Sequence, residues 1–130
     1  MEERNFVAAV ERCTLAGSEF RHADHVRLAW IDLRDYPLLD AIAHFTAVLR
    51  RFAAHHGVPG KYHETITWAY LLIHERMRRD PGPAEWERFR SANPDLFARS
   101  PSIVERYYAP QTLASEASRR SFVLPDAGLR

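Results

Sequence analysis

At 130 residues the chain has the length of one domain, and 46% hydrophobic with 27% charged residues is the composition of a folded protein, not a disordered tract. Eighteen basic against 17 acidic residues leave a formal net charge of +1, which argues against a dedicated nucleic-acid binder. Cys13 is the one cysteine, so an internal disulfide and a Cys-rich zinc site are excluded, and no apolar run approaches the length of a membrane span.

The first predicted helix covers residues 3–13, where Phe6, Val7 and Val10 make an apolar stripe at helical spacing. Gly17 and Ser18 interrupt the chain. A second helix is expected over 22–35, with Val26, Ala29, Trp30 and Leu33 facing inward, and Tyr36-Pro37 ends it because the residue before proline avoids helical geometry. Pro37 then suits the first turn of a third helix carrying the stripe Leu38, Ile42, Phe45, Leu49 and Phe52, with Gly57 as its left-handed cap.

A fourth helix is expected over 62–79, apolar around most of its circumference and therefore central. Asp80-Pro81-Gly82-Pro83 stops it. Shorter elements follow: an amphipathic helix over 83–92 with Trp86 and Phe89 inward, one or two turns over 102–107, and a helical stretch over 113–120. Phe122-Val123-Leu124-Pro125 is expected as an extended tail. No alternating strand pattern stands out. The expectation is one all-α domain over 1–130: a bundle of four main helices with short C-terminal helices and an extended tail.

Two histidine-bearing segments carry the chemistry. In Phe20-Arg21-His22-Ala23-Asp24-His25-Val26, two histidines three residues apart fall on one side of a helix, where their rings can converge on a metal ion. The bland alternative is that both make surface hydrogen bonds at the helix entrance. In Lys61-Tyr62-His63-Glu64-Thr65-Ile66-Thr67, His63 and Thr67 begin a stripe that continues through Tyr70 and His74, interleaved with Ile66 and Ile73. Polar groups on a core-facing stripe need partners. A metal would serve; so would an internal network in which His63 bonds a backbone carbonyl, Thr67 bonds back to the preceding turn, and Tyr70 meets His74.

In an antiparallel bundle, the starts of the second and fourth helices lie at the same end. His22, His25 and His63 would then surround one divalent transition metal, zinc or iron foremost, with Glu64 as a fourth ligand, a residue orienting a histidine, or the general base. His44 and His55 are read as lying outside this centre. Tyr108 and Arg119 are further candidates for the pocket, although tyrosines at such positions more often bury their rings in the core.

These segments, with Arg106-Tyr107-Tyr108 and the tail Phe122-Val123-Leu124-Pro125-Asp126, resemble a family of small bacterial helical proteins. The resemblance spans residues 20–126 and implies a helical domain with a site near the histidines; it implies no substrate. The leading expectation is therefore a metal-binding helical protein, with metal-dependent catalysis on an unspecified substrate as its extension. The alternative is a metal-free domain with a small-molecule pocket lined by Trp30, Trp68, Tyr70 and Tyr108, or a homodimeric interaction module. No nucleic acid or membrane partner is expected. The polar, acidic start of the chain is unlike a signal peptide, so a cytoplasmic location is expected.

Overall fold

A computed structural model describes residues 1–80, 85–99 and 101–127. The fold is all-α, and among the described residues the nearest approach to sheet is an isolated bridge between Arg99 and Ser102. None of the described helices is long and apolar enough to cross a membrane. The chain divides into two compact units, Met1–Tyr62 and His63–Arg130.

The first unit is built on α1 (Glu3–Glu11), α2 (His22–Asp35) and α3 (Leu38–His55). Both α1 and α2 pack on α3. The reason is in the stripes: Phe6 and Val10 of α1, Val26, Ala29 and Trp30 of α2, and Ile42, Phe45, Leu49 and Phe52 of α3 are all buried. Each buried Val, Leu, Ile or Phe among them contributes about 1.5–3 kcal/mol by leaving water. Phe20, in the loop before α2, joins them, with its ring centroid 4.7 Å from that of Phe52 and 6.5 Å from that of Phe6.

The helix ends follow local chemistry. Asp24 reaches back to accept from the Arg21 backbone N–H at 3.0 Å, the acidic half of a capping box. Tyr36 is extended ahead of Pro37, and Gly57 closes α3 at φ +74°. At the end of α1 the left-handed position is held by Cys13, at φ +59°, where glycine would be the unstrained choice. Arg34 clamps α1 to α2, donating to both carboxylate oxygens of Glu3, at 2.9 and 2.7 Å, while also bonding Asp35.

The second unit carries α4 (Glu64–Ala69), α5 (Leu71–Arg79), α6 (Trp86–Ala92), α7 (Pro110–Ala114) and α8 (Glu116–Arg120). The single helix expected over 62–79 is broken at Tyr70, where the Ile73 N–H bonds the Tyr70 carbonyl three residues back. No proline or glycine marks this break. The helical stretch expected over 113–120 is likewise two short helices, parted at Ser115, whose hydroxyl caps α8. The Asp80-Pro81-Gly82-Pro83 stop, apart from Asp80, and the first residues of the helix expected from 83 lie outside the described residues.

The core of this unit is Ile73, Leu96, Ile103, Val104 and Tyr108. The tail is extended, as expected, and it is fastened. The buried Thr65 hydroxyl donates to the Ser121 carbonyl at 3.0 Å and accepts from the Val123 N–H at 3.1 Å. The Tyr108 hydroxyl donates to the Val123 carbonyl at 2.7 Å. Asp126 caps α7, accepting from the Ala109 N–H at 2.9 Å and from the Thr112 hydroxyl.

Candidate functional site

His63 is the N-cap of α4 and is 7% exposed. Its Nδ1 accepts from the Ile66 N–H at 3.1 Å, and its Nε2–H donates to the Leu113 carbonyl at 2.8 Å. One nitrogen accepts and the other donates, so the ring is a neutral imidazole with the proton on Nε2. It fastens the start of α4 to the end of α7. A metal at either nitrogen would have to displace one of these bonds.

Thr67 donates its hydroxyl to the His63 carbonyl at 2.7 Å. Two links of the internal network that the sequence offered as the alternative to a metal are therefore in place. Glu64 lies in the first turn of α4, where the helix dipole favours an acid. Tyr70 stands at the α4–α5 break, its phenol pushed up to about 12 by burial. His74 is half-buried within α5, and Arg119 half-buried within α8.

His22 and His25 belong to the first unit, at the start of α2. The His25 ring lies on Phe20 with centroids 4.0 Å apart. Burial holds its imidazole down to about 4, with the neighbouring His22 charge acting the same way, against a backbone hydrogen bond to Phe20. It is a neutral ring packed in an aromatic cluster. Among the described residues, no group of three or more His, Cys, Asp or Glu side chains is placed to hold a metal ion. Of the three histidines expected around a metal, His22 and His25 lie in the first unit and His63 in the second.

The structure does form a pocket in the second unit. Trp68, Leu71, Leu72, Tyr107, Tyr108 and Phe122 line an almost wholly apolar concavity of about 230 Å³. Trp68 stacks on Phe122 with centroids 5.0 Å apart, so the tail forms part of the wall. The indole Nε1 of Trp68 is buried and has no hydrogen-bond partner among the described residues. An orphaned donor of this kind costs about 1–3 kcal/mol. Of the residues expected around a pocket, Trp68 and Tyr108 line it; Thr67, Tyr70, His74 and Arg119 are not among its lining residues, and Trp30 belongs to the first unit, where it packs in the core.

Sequence reasoning passed over one polar cluster. His44 of α3 lies between two acids, with Nδ1 2.9 Å from Asp32 Oδ2 and Nε2 3.2 Å from Glu11 Oε2. The signal was present at Asp32, a carboxylate 2% exposed amid the apolar face of α2. A buried carboxylate requires a partner. Helical spacing alone does not identify that partner as a histidine on the next helix.

Compared with family models, with curated proteins and with solved structures, the chain matches none.

Proposed function

We propose that the chain is a metal-independent small-molecule-binding domain whose site is the aromatic pocket of the second unit. The supporting observation is the almost wholly apolar concavity walled by Trp68, Leu71, Leu72, Tyr107, Tyr108 and Phe122. Apolar walls with one or two fixed polar groups are the usual make-up of a small-molecule site. The fitting ligand is a compact, largely apolar aromatic molecule. Its size is bounded by the volume: a cavity of roughly 150 Å³ accommodates benzene, and this pocket is somewhat larger. The hydrogen-bonded state of both His63 nitrogens supports the metal-free form of this reading.

Quinoline and naphthalene test it, since they share a shape and differ by one ring-nitrogen acceptor. Tryptophan fluorescence and thermal shift on the full chain are expected to show naphthalene binding at least as tightly as quinoline, whose ring nitrogen would lose its bond to water in an apolar pocket. Trp68→Ala removes one aromatic wall and is expected to weaken binding of both. Binding of neither compound refutes the pocket reading. Elemental analysis of tag-free protein, with chelation and re-addition, tests metal independence: one equivalent of metal, lost in a His63→Asn variant, refutes it.

A further inference from the structure

The tail supplies one wall of the aromatic pocket, and side chains outside the pocket hold it there. Phe122 and Pro125 line the concavity, with Phe122 stacked on Trp68; α4, α5 and Tyr107-Tyr108 supply the remaining walls. Leu124, between the two lining residues, is 76% exposed, so solvent reaches the tail from its other side. From Ser121 to Ala127 the tail has no helix or strand of its own. Its position depends on the packing of Phe122 and Pro125 and on two clasps.

The first clasp is Thr65, which is wholly buried. Its hydroxyl serves the Ser121 carbonyl and the Val123 N–H at once, bracketing Phe122. The Tyr108 hydroxyl adds a bond to the Val123 carbonyl, so this residue gives its hydroxyl to the tail and its ring to the pocket. The second clasp is at the far end. The Asp126 and Ala127 N–H groups donate to the Tyr107 carbonyl at 3.0 and 2.9 Å, and the Asp126 carboxylate accepts from the Ala109 N–H and the Thr112 hydroxyl. Neither Thr65 nor Asp126 lines the pocket. Each such bond has a modest net worth, so a segment held by a few of them opens more readily than the core unfolds.

We propose that the tail is a strap whose docking completes the pocket, with Thr65 as its positioning residue; this rests on the reading of the pocket as a small-molecule site. A ligand lying against Phe122 meets that wall only in the docked state. It therefore favours docking, and docking favours the ligand to the same degree. Thr65 acts without touching the ligand: its two bonds fix the backbone on either side of Phe122 and so set that ring against Trp68.

Amide hydrogen exchange by NMR on the full chain, with naphthalene as the probe, reads docking and binding separately. The Val123, Asp126 and Ala127 amides report on the tail, and the Ile73 amide, in the core of α5, on unfolding of the unit. In the free protein the tail amides are expected to exchange about tenfold or more faster than Ile73. Naphthalene at about ten times its Kd is expected to slow them about tenfold. Thr65→Val keeps the shape and removes both bonds. It is expected to speed exchange at Asp126 and Ala127 about tenfold or more and to weaken naphthalene about threefold or more. Asp126→Ala, at an exposed position, is the second variant and is expected to move Val123 exchange and affinity in the same directions; it decides alone where Thr65→Val does not fold. Tail and Ile73 amides that exchange alike, naphthalene bound without slowing the tail, or undiminished affinity in the variants overturns the strap and leaves the pocket reading standing. Failure of naphthalene to bind the parent chain overturns the pocket reading and the coupling with it.

Discussion

His44 in the first unit and His63 in the second show how partners decide what a histidine is. His44 faces two carboxylates and holds a proton; His63 faces one backbone donor and one backbone acceptor and is neutral. The same contrast extends to the concavities beside them. The cleft next to His44 is lined in large part by charged groups, whereas the pocket of the second unit is walled by aromatic and aliphatic groups. Two histidines prominent in the sequence have structural partners: His63 joins α4 to α7, and His25 packs on Phe20.

The comparison can be broken most strongly with pH, because the first unit contains opposed titrations. Burial raises Asp32 above its unfolded value, so the folded state holds a proton that the unfolded chain has released; stability falls as pH rises from about 4 to about 6. The raised His44 acts in the same sense, its stabilisation being complete below about 6.5 and lost as pH rises through its folded value. His25 acts in the opposite sense. Burial lowers it to about 4, so its contribution is present above about 6.5 and lost as pH falls towards 4. In the parent protein these effects oppose each other across the window.

Single substitutions separate them. Asp32→Asn keeps an acceptor for His44 Nδ1–H and removes the acid, so unfolding free energy is expected to rise with pH between about 4 and 6.5, by about 3 kcal/mol. His25→Phe keeps a ring against Phe20 and is expected to reverse the slope with similar size. Urea unfolding at a series of pH values measures both. Parallel slopes in the two variants would show that these groups do not govern the pH response.

His63→Ala tests the structural half of the contrast. It removes the cap of α4, worth about 1 kcal/mol, and leaves the Leu113 carbonyl without its donor, about 1–3 kcal/mol more. A loss near 3 kcal/mol in urea unfolding is expected. His63→Asn is expected to recover the cap, since its side-chain oxygen can accept from the Ile66 N–H, and to lose roughly half as much. Equal losses in the two variants would remove the capping role.

Much of the helical plan was legible because it is written in local rules. The 22–35 helix, its end before Pro37 and the Gly57 cap require only the steric preferences of neighbouring residues. The break at Tyr70 was not legible: the run around it is apolar and free of proline and glycine, so periodicity reads straight through. The site was legible only in outline. Of four residues marked for a pocket, Trp68 and Tyr108 line one while Trp30 and Tyr70 do not, and the need of His63 for partners was read from its place on an apolar stripe. Which partners it takes depends on Leu113, fifty residues away, and no spacing rule carries that information. The Asp32–His44–Glu11 set failed to stand out for the same reason, its members coming from three helices.

The ion pairs offer the smallest test, and they compare the units on equal terms. In the first, Arg34 joins Glu3 and Asp35; in the second, Arg76 bonds both oxygens of Asp95, at 2.6 and 2.7 Å, and Asn93 at 3.0 Å. Neither set is buried, the side chains of Arg34 and Arg76 being 23% and 27% exposed and their partners more so. Solvent screening therefore limits each to about 1 kcal/mol or less. Asp95→Asn removes the charge and keeps an oxygen for the guanidinium, with Asn93 still in place, so a loss of about 0.5–1 kcal/mol is expected at low salt. In about 1 M salt, where the screening length falls to about 3 Å, the difference from the parent should nearly vanish. A loss of several kcal/mol that persists in salt would mean that the Arg76 cluster carries the packing of the second unit, and that the near-equality of the two clamps is wrong.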